Sequence, residues 1–277
     1  MKITLGFSPC PNDTFIFDAL VNNLIDTKGI DFETRLEDVQ TLNELAQNNI
    51  LDVSKISYGV LPLLFKNYVV LNSGSALGSG VGPLLISKPM SNIPVEDSQI
   101  AIPGENTTAH LLFKTAYPDA NNKVFLRYDE IEDFVLSPDA DNHLGVIIHE
   151  NRFTYQDRGL HKIIDLGNYW EEKMAAPIPL GGIIAKRSID GSLLATIDGL
   201  IKQSIEFAFK RYPELSDYIR SNAQEMSEEV MRKHIDLYVN KFSVDLGPVG
   251  QSAIKTLLSA YDKSLSEIND GQLFLQG

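Results

Sequence analysis

The sequence predicts an α/β protein built as two units. Three features predict it. Short β-branched runs alternate with amphipathic helical stretches over residues 2–185. A stretch over residues 88–98, with two prolines and little apolar pattern, interrupts that series, and a second strand–helix series starts behind it. From Asp190 onward the spacing is helical almost throughout, which supplies helices to cover a sheet rather than further strands.

Composition narrows what the chain can be. Its 277 residues are 43% hydrophobic and 22% charged, ordinary for a globular protein of about two domains. With 24 basic against 37 acidic residues the net charge is −13, which argues against a nucleic-acid or anionic-membrane surface. An anionic small molecule stays possible, because backbone N–H groups bind anions without Lys or Arg. Cys10 is the single cysteine, so no intrachain disulfide can form. No run reaches the roughly 18 apolar residues of a membrane span, and residues 1–6 lead straight into a strand pattern with no secretory h-region. The expectation is a cytoplasmic protein.

In chain order, residues 2–8 read as a first strand that meets the turn Pro9-Cys10-Pro11-Asn12-Asp13. Asn12 or Asp13 is placed to cap a helix over 14–24, and Cys10 near that helix start could have a lowered pKa. Strand 31–37, helix 41–48 and strand 51–56 follow, with Lys55 inside a strand, where a charge must snorkel, pair or face a cleft. Residues 60–65 form a helical apolar run, and 68–71 and 83–87 read as strands. Between those two strands lies Ser75-Ala76-Leu77-Gly78-Ser79-Gly80-Val81-Gly82, a loop permitting close backbone approach or a flexible connection. It is not a dinucleotide loop, since Pro83 and a strand follow where a helix should begin.

The second series opens with strand 99–102, then Pro103-Gly104-Glu105-Asn106-Thr107-Thr108 and a helix through Tyr117. Thr107 or Thr108 can cap that helix, and its free N–H groups make an anion site. Strand 123–127 and helix 129–136 lead to residues 144–148, a buried strand that ends abruptly in His149-Glu150-Asn151-Arg152. In open α/β sheets that carboxyl edge is where ligands bind. His149 is therefore either a cleft-wall base or a strand-end imidazole bonded to a neighbouring loop. Strands 163–167 and 177–185 come next. The helices over 193–212, 228–242 and 250–264 carry apolar spacing, such as Leu194, Ile197, Ile201, Ile205 and Phe209, and no evident chemistry. His110 falls at a helix start, His143 and His161 in loops, and His234 in a late helix. None is spaced for a metal site, so no metal is expected.

The chain leaving one unit and returning resembles the two-lobed periplasmic-binding-protein type II-like fold. Two crossover segments near 84–98 and 178–187 would form its hinge. One lobe would comprise residues 1–88 with 186–277, the other 95–180. More specific are Gly6-Phe7-Ser8-Pro9-Cys10-Pro11-Asn12-Asp13-Thr14-Phe15, Ser54-Lys55-Ile56-Ser57-Tyr58, Gly78-Ser79-Gly80-Val81-Gly82-Pro83, Thr107-Thr108-Ala109 and Ile148-His149-Glu150-Asn151-Arg152. These segments resemble the 1,4-dihydroxy-6-naphthoate synthases of the futalosine route to menaquinone, over about residues 2–247. Asn151 stands where that family usually has Ser.

The resemblance implies a carbon–carbon lyase that converts cyclic dehypoxanthinylfutalosine to 1,4-dihydroxy-6-naphthoate, releases dihydroxyacetone, and uses no cofactor. It implies His149 as general base. It also implies Lys55, Ile56 and Ser57 facing Thr107, Thr108 and Ala109 across the substrate. Asn12 and Asp13 of the first turn, Gly80 of the glycine-rich loop and Arg152 at the strand end are further candidate substrate contacts. Two other readings are a chorismate dehydratase, which lacks the Ser-Pro-Cys-Pro-Asn-Asp block, and a binding protein that captures a small anion without chemistry.

Overall fold

A computed structural model of the chain describes residues 1–89, 93–138, 142–223 and 227–276. Its strands are β1 Lys2–Phe7, β2 Asp31–Leu36, β3 Val53–Ser57, β4 Tyr68–Val70, β5 Ala76–Gly78, β6 Leu84–Ser87, β7 Gln99–Ile102, β8 Lys123–Phe125, β9 His143–Ile147, β10 His161–Asp165 and β11 Ile178–Lys186. They form two sheets. The first runs β2-β1-β3-β11-β4 with β5 also on β11; the second runs β10-β6-β9-β7-β8. β1, β2 and β3 are parallel, whereas β11 runs antiparallel to β3, β4 and β5.

The crossings sit earlier than the sequence places them. β6 pairs antiparallel with β9 and β10, so Leu84–Ser87 belongs to the second sheet and the chain crosses at residues 79–83. A four-residue apolar run carries no mark of which sheet it joins. The return comes just before Ile178, because β11 already lies in the first sheet. Of the expected linker, residues 90–92 lie outside the described residues. β5 lies inside the glycine-rich stretch, and His143 and His161 open strands β9 and β10 instead of lying in loops.

The C-terminal helices cover the first lobe. Helix Gly191–Arg211 buries Leu194, Ile197, Ile201 and Ile205 in one core with Leu5, Phe7 and Phe17 of the N-terminal segment. Phe209 falls at the edge of that stripe, 38% exposed, with its ring 5.4 Å from Phe15. Helix Gly247–Tyr261 buries Ala253, Ile254, Leu257 and Leu258 in a core that also contains Tyr58 and Trp170. Among the described residues no helix is long and apolar enough to cross a membrane.

The lobes touch closely at Gly59. A Cβ on Gly59, just past β3, would lie 2.6 Å from the Thr107 carbonyl carbon and 2.7 Å from Thr108 N. Both distances are well inside contact, and both partners are backbone. Only a residue with no side chain lets the helix start of the second lobe sit this near the edge of the first.

Candidate active site

Between the lobes lies a cleft enclosing about 670 Å³, part of it open to solvent. Its first-lobe wall is Ser8, Asn12 and Asp13 from the turn after β1, Lys55, Ile56 and Ser57 from β3, and Leu180 and Gly181 from β11. The second lobe contributes Pro83, Thr107, Thr108, Ala109, Ile148 and His149. Sequence reasoning singled out most of these; it did not find Ala76, Leu180, Gly181 or Tyr238, whose apolar or glycine-adjacent settings carry no chemical signal.

The turn after β1 is built around Asp13. Helix Pro11–Val21 starts at once after the turn, with Cys10 as N-cap and Pro11 in its first turn, so Asn12 and Asp13 are helical residues and not caps. Asp13 Oδ2 accepts from Ser8 N–H at 3.2 Å and from Ser8 Oγ–H at 2.8 Å; Oδ1 accepts from Asn12 Nδ2 at 2.8 Å. Lys55 Nζ lies 3.0 Å from Oδ1, with both side chains almost fully buried, and also donates to Gly74 O at 3.1 Å. The strand lysine thus both pairs and lines the cleft. Asn12 Oδ1 is buried and has no hydrogen-bond partner, an acceptor left for a ligand donor.

Across the cleft, Thr107 caps helix Thr108–Ala116: its hydroxyl accepts from His110 N–H at 3.2 Å and donates to Gly104 O at 2.8 Å. Thr108 is the first helical residue. Its hydroxyl accepts from Gly59 N–H at 2.9 Å and donates to Leu180 O at 2.7 Å, bridging the lobes. Neither hydroxyl is therefore spare for an anion; the first-turn N–H groups, which a helix leaves without intrahelical acceptors, are what remains. Thr108→Val strands both partners and is expected to lower unfolding free energy by about 1–3 kcal/mol, whereas Thr108→Ser keeps the bridge. Urea denaturation of the two variants separates these outcomes.

His149 follows β9 with φ 56°, the left-handed region that a non-glycine residue rarely adopts. Such strain concentrates at functional sites. Nδ1 lies 3.6 Å from Cys10 Sγ on the opposite lobe. The ring meets Tyr128 edge-on at 4.9 Å and stacks on His234 at 6.1 Å. Sequence spacing gave no sign of His234, because the helix that carries it comes 85 residues later and shows only core periodicity. His234 is fully buried and neither ring nitrogen finds a partner.

Burial pushes His149 from its ordinary 6.5 down to about 4; Asp13 and Asp38 oppose that shift and Lys55 adds to it. Burial, aided by the charges of His149 and Lys55, also drives His234 well below the usual imidazole range. In the unfolded chain both rings take up a proton below about 6.5, but the folded protein does not until far lower. Stability is therefore full above about pH 6.5 and, for His149, falls as the pH drops through the window from about 6.5 to about 4. Urea midpoints at pH 7 and pH 5 should show the loss. Cys10 moves opposite to the sequence expectation: burial, and then the Glu150 charge, push its thiol well above its ordinary value, outweighing its place at a helix start.

Gly80 and Arg152 do not line the cleft. Arg152 is taken up by Asp165, at 2.6 Å, and by the carbonyls of Gly80 and Gly82, while Gly80 N–H donates to Glu171 at 2.7 Å. Both brace the crossover. A possible metal cluster emerges that sequence spacing gave no reason to expect: ligand atoms of Cys10, His149 and Glu150 lie within 4.8 Å of one another.

The family model described as "Menaquinone biosynthesis" matches residues 3–263. The chain belongs to this family. Within it, the chain is 42% identical to the 1,4-dihydroxy-6-naphtoate synthase of Thermus thermophilus over 93% of both chains. It is 37% identical to the enzyme of the same name from Streptomyces coelicolor, over 93% of this chain and 92% of that one. Among solved structures, a protein from Archaeoglobus fulgidus superposes with TM-score 0.88 at 30% identity, covering 95% of this family member and 97% of that chain. The periplasmic aliphatic sulphonate binding protein of Escherichia coli superposes with TM-score 0.65 at 11% identity, covering 99% and 92%. At that identity the likeness concerns the fold alone, and the fold is of the two-lobed periplasmic-binding-protein type.

Proposed function

We propose that this protein is a 1,4-dihydroxy-6-naphthoate synthase, a lyase acting on cyclic dehypoxanthinylfutalosine in the cytoplasm, with His149 as general base. The observation that carries the base assignment is an imidazole at the junction of the two lobes, held on a cleft wall by a left-handed backbone. In the tautomer whose Nδ1–H points at the Cys10 sulfur, 3.6 Å away, Nε2 keeps its lone pair for the substrate. That nitrogen removes the proton next to the ring carbonyl; the freed pair enters the aromatic ring as the bond to the sugar fragment breaks, and the fragment takes the proton back from the imidazolium to leave as dihydroxyacetone.

The walls suit the rest of the substrate. Ser57 and nearby N–H groups are donors for the oxygen that becomes an enolate. The helix start at Thr108 and Ala109 offers N–H groups to the aryl carboxylate, which lets an acidic protein hold an anion. Asn12 Oδ1, an acceptor without a partner, suits a hydroxyl of the departing sugar fragment. Closure of the lobes would exclude water from the enolate.

The test is incubation with cyclic dehypoxanthinylfutalosine followed by mass spectrometry. Appearance of dihydroxynaphthoate and dihydroxyacetone in equal amounts is expected. Return of the substrate unchanged would instead favour a binder that does no chemistry.

A further inference from the structure

We propose that Cys10, His149 and Glu150 form a binding site for a thiophilic divalent cation of the zinc class, and that a cation held there blocks the base. Thiolate, imidazole and carboxylate together make a donor set suited to Zn²⁺, with three protein ligands and one open position. The spacing fits. Standard Zn–S and Zn–N lengths at a tetrahedral angle put sulfur and nitrogen about 3.6 Å apart, and Cys10 Sγ and His149 Nδ1 are 3.6 Å apart. A carboxylate oxygen of Glu150 lies within 4.8 Å of both.

Backbone geometry explains why two neighbouring residues reach one sulfur. In a continuing strand His149 and Glu150 would point to opposite faces. The left-handed backbone at His149, φ 56°, breaks that alternation two residues past the end of β9. On the other lobe the Cys10 carbonyl accepts from Asp13 N–H and Thr14 N–H at 3.1 and 3.0 Å, which fixes the residue that carries the sulfur. Cys10 and Glu150 are 1% and 8% exposed, so the donors are already largely ordered and sheltered.

The chemistry of binding determines its effect. The Cys10 thiol releases its proton to solvent as the S–metal bond forms. The imidazole binds through Nδ1, and its proton moves from Nδ1 to Nε2. Nε2 then carries a hydrogen and can no longer accept one. The same cation bridges the two lobes, since Cys10 and His149 come from opposite walls of the cleft.

The effect on turnover rests on the function proposed above; the binding does not, and the experiment reads it without substrate. Co²⁺ is titrated into the chelator-treated full-length protein, and Zn²⁺ is then added as competitor. The expected result is a thiolate-to-cobalt charge-transfer band saturating at one cation per chain, with one proton released, and bleached by Zn²⁺. The chain has a single cysteine, so only Cys10 can give that band. Glu150→Gln, which keeps the thiol, should weaken Co²⁺ by about 10–100-fold or more, and Cys10→Ser should abolish the band. Absence of the band in the parent protein overturns the proposal, as does unchanged affinity in Glu150→Gln. If the band forms while substrate is returned unchanged, the site stands and the assigned reaction falls.

Discussion

His149→Asn is expected to lower kcat by about 10²–10⁴-fold while the melting temperature stays near that of the parent. Asn is the right probe for a backbone reason. Position 149 holds φ 56°, and Asn accepts that region better than most residues; Ala would add strain and confuse loss of chemistry with loss of folding. Asn keeps a polar side chain near Cys10 but takes no proton at neutral pH. In the parent, the acid limb of kcat/KM should lie near pH 4, because the active form is neutral imidazole and burial has moved its pKa to about 4. A stable His149→Asn protein with near-normal turnover would remove His149 from the reaction and turn attention to Lys55, Ser57 and Asp13.

Lys55→Met is expected to cost about 3–5 kcal/mol of stability. The substitution keeps the length and apolar stem of the side chain but leaves Asp13 buried without its cation. Three donors, Ser8 N–H, Ser8 Oγ–H and Asn12 Nδ2–H, would remain on Asp13, but none carries a charge. The double variant Lys55→Met with Asp13→Asn should recover a substantial part of the loss, since no lone charge is then buried. Chemical denaturation of the two singles and the double measures the coupling. A Lys55→Met protein as stable as the parent would show that Asp13 is sheltered by its other donors alone.

The local parts of this site were legible in the sequence. The apolar run of β9 stops at His149, the turn Ser8–Asp13 follows a strand, and Thr107 precedes a helical pattern; each reads from periodicity and punctuation over a few residues. What stayed hidden are pairings between distant segments. Cys10 and His149 are 139 residues apart, and Thr108 reaches Leu180 across 72. Nothing in either segment names its partner, because burial and alternation define a face and not the surface that meets it. The same reason misplaced β6, whose continuous apolar run suits either sheet. Arg152 looked like a ligand contact because it follows the strand end, and only the fold shows Asp165 and two carbonyls taking up its guanidinium.

The position of β11 also sets an order of assembly. It lies between β3 and β4 and borders β5, so the first sheet lacks an interior strand until residue 186 has been made. The strands of the second sheet all fall within residues 84–165 and can pair before that. On the ribosome, where earlier segments fold first, the second lobe is therefore the unit that can mature early, although it comes later in the sequence than β1. The N-terminal strands wait with an open edge for a partner made more than a hundred residues later. The cleft, which needs both lobes, is among the last features to form.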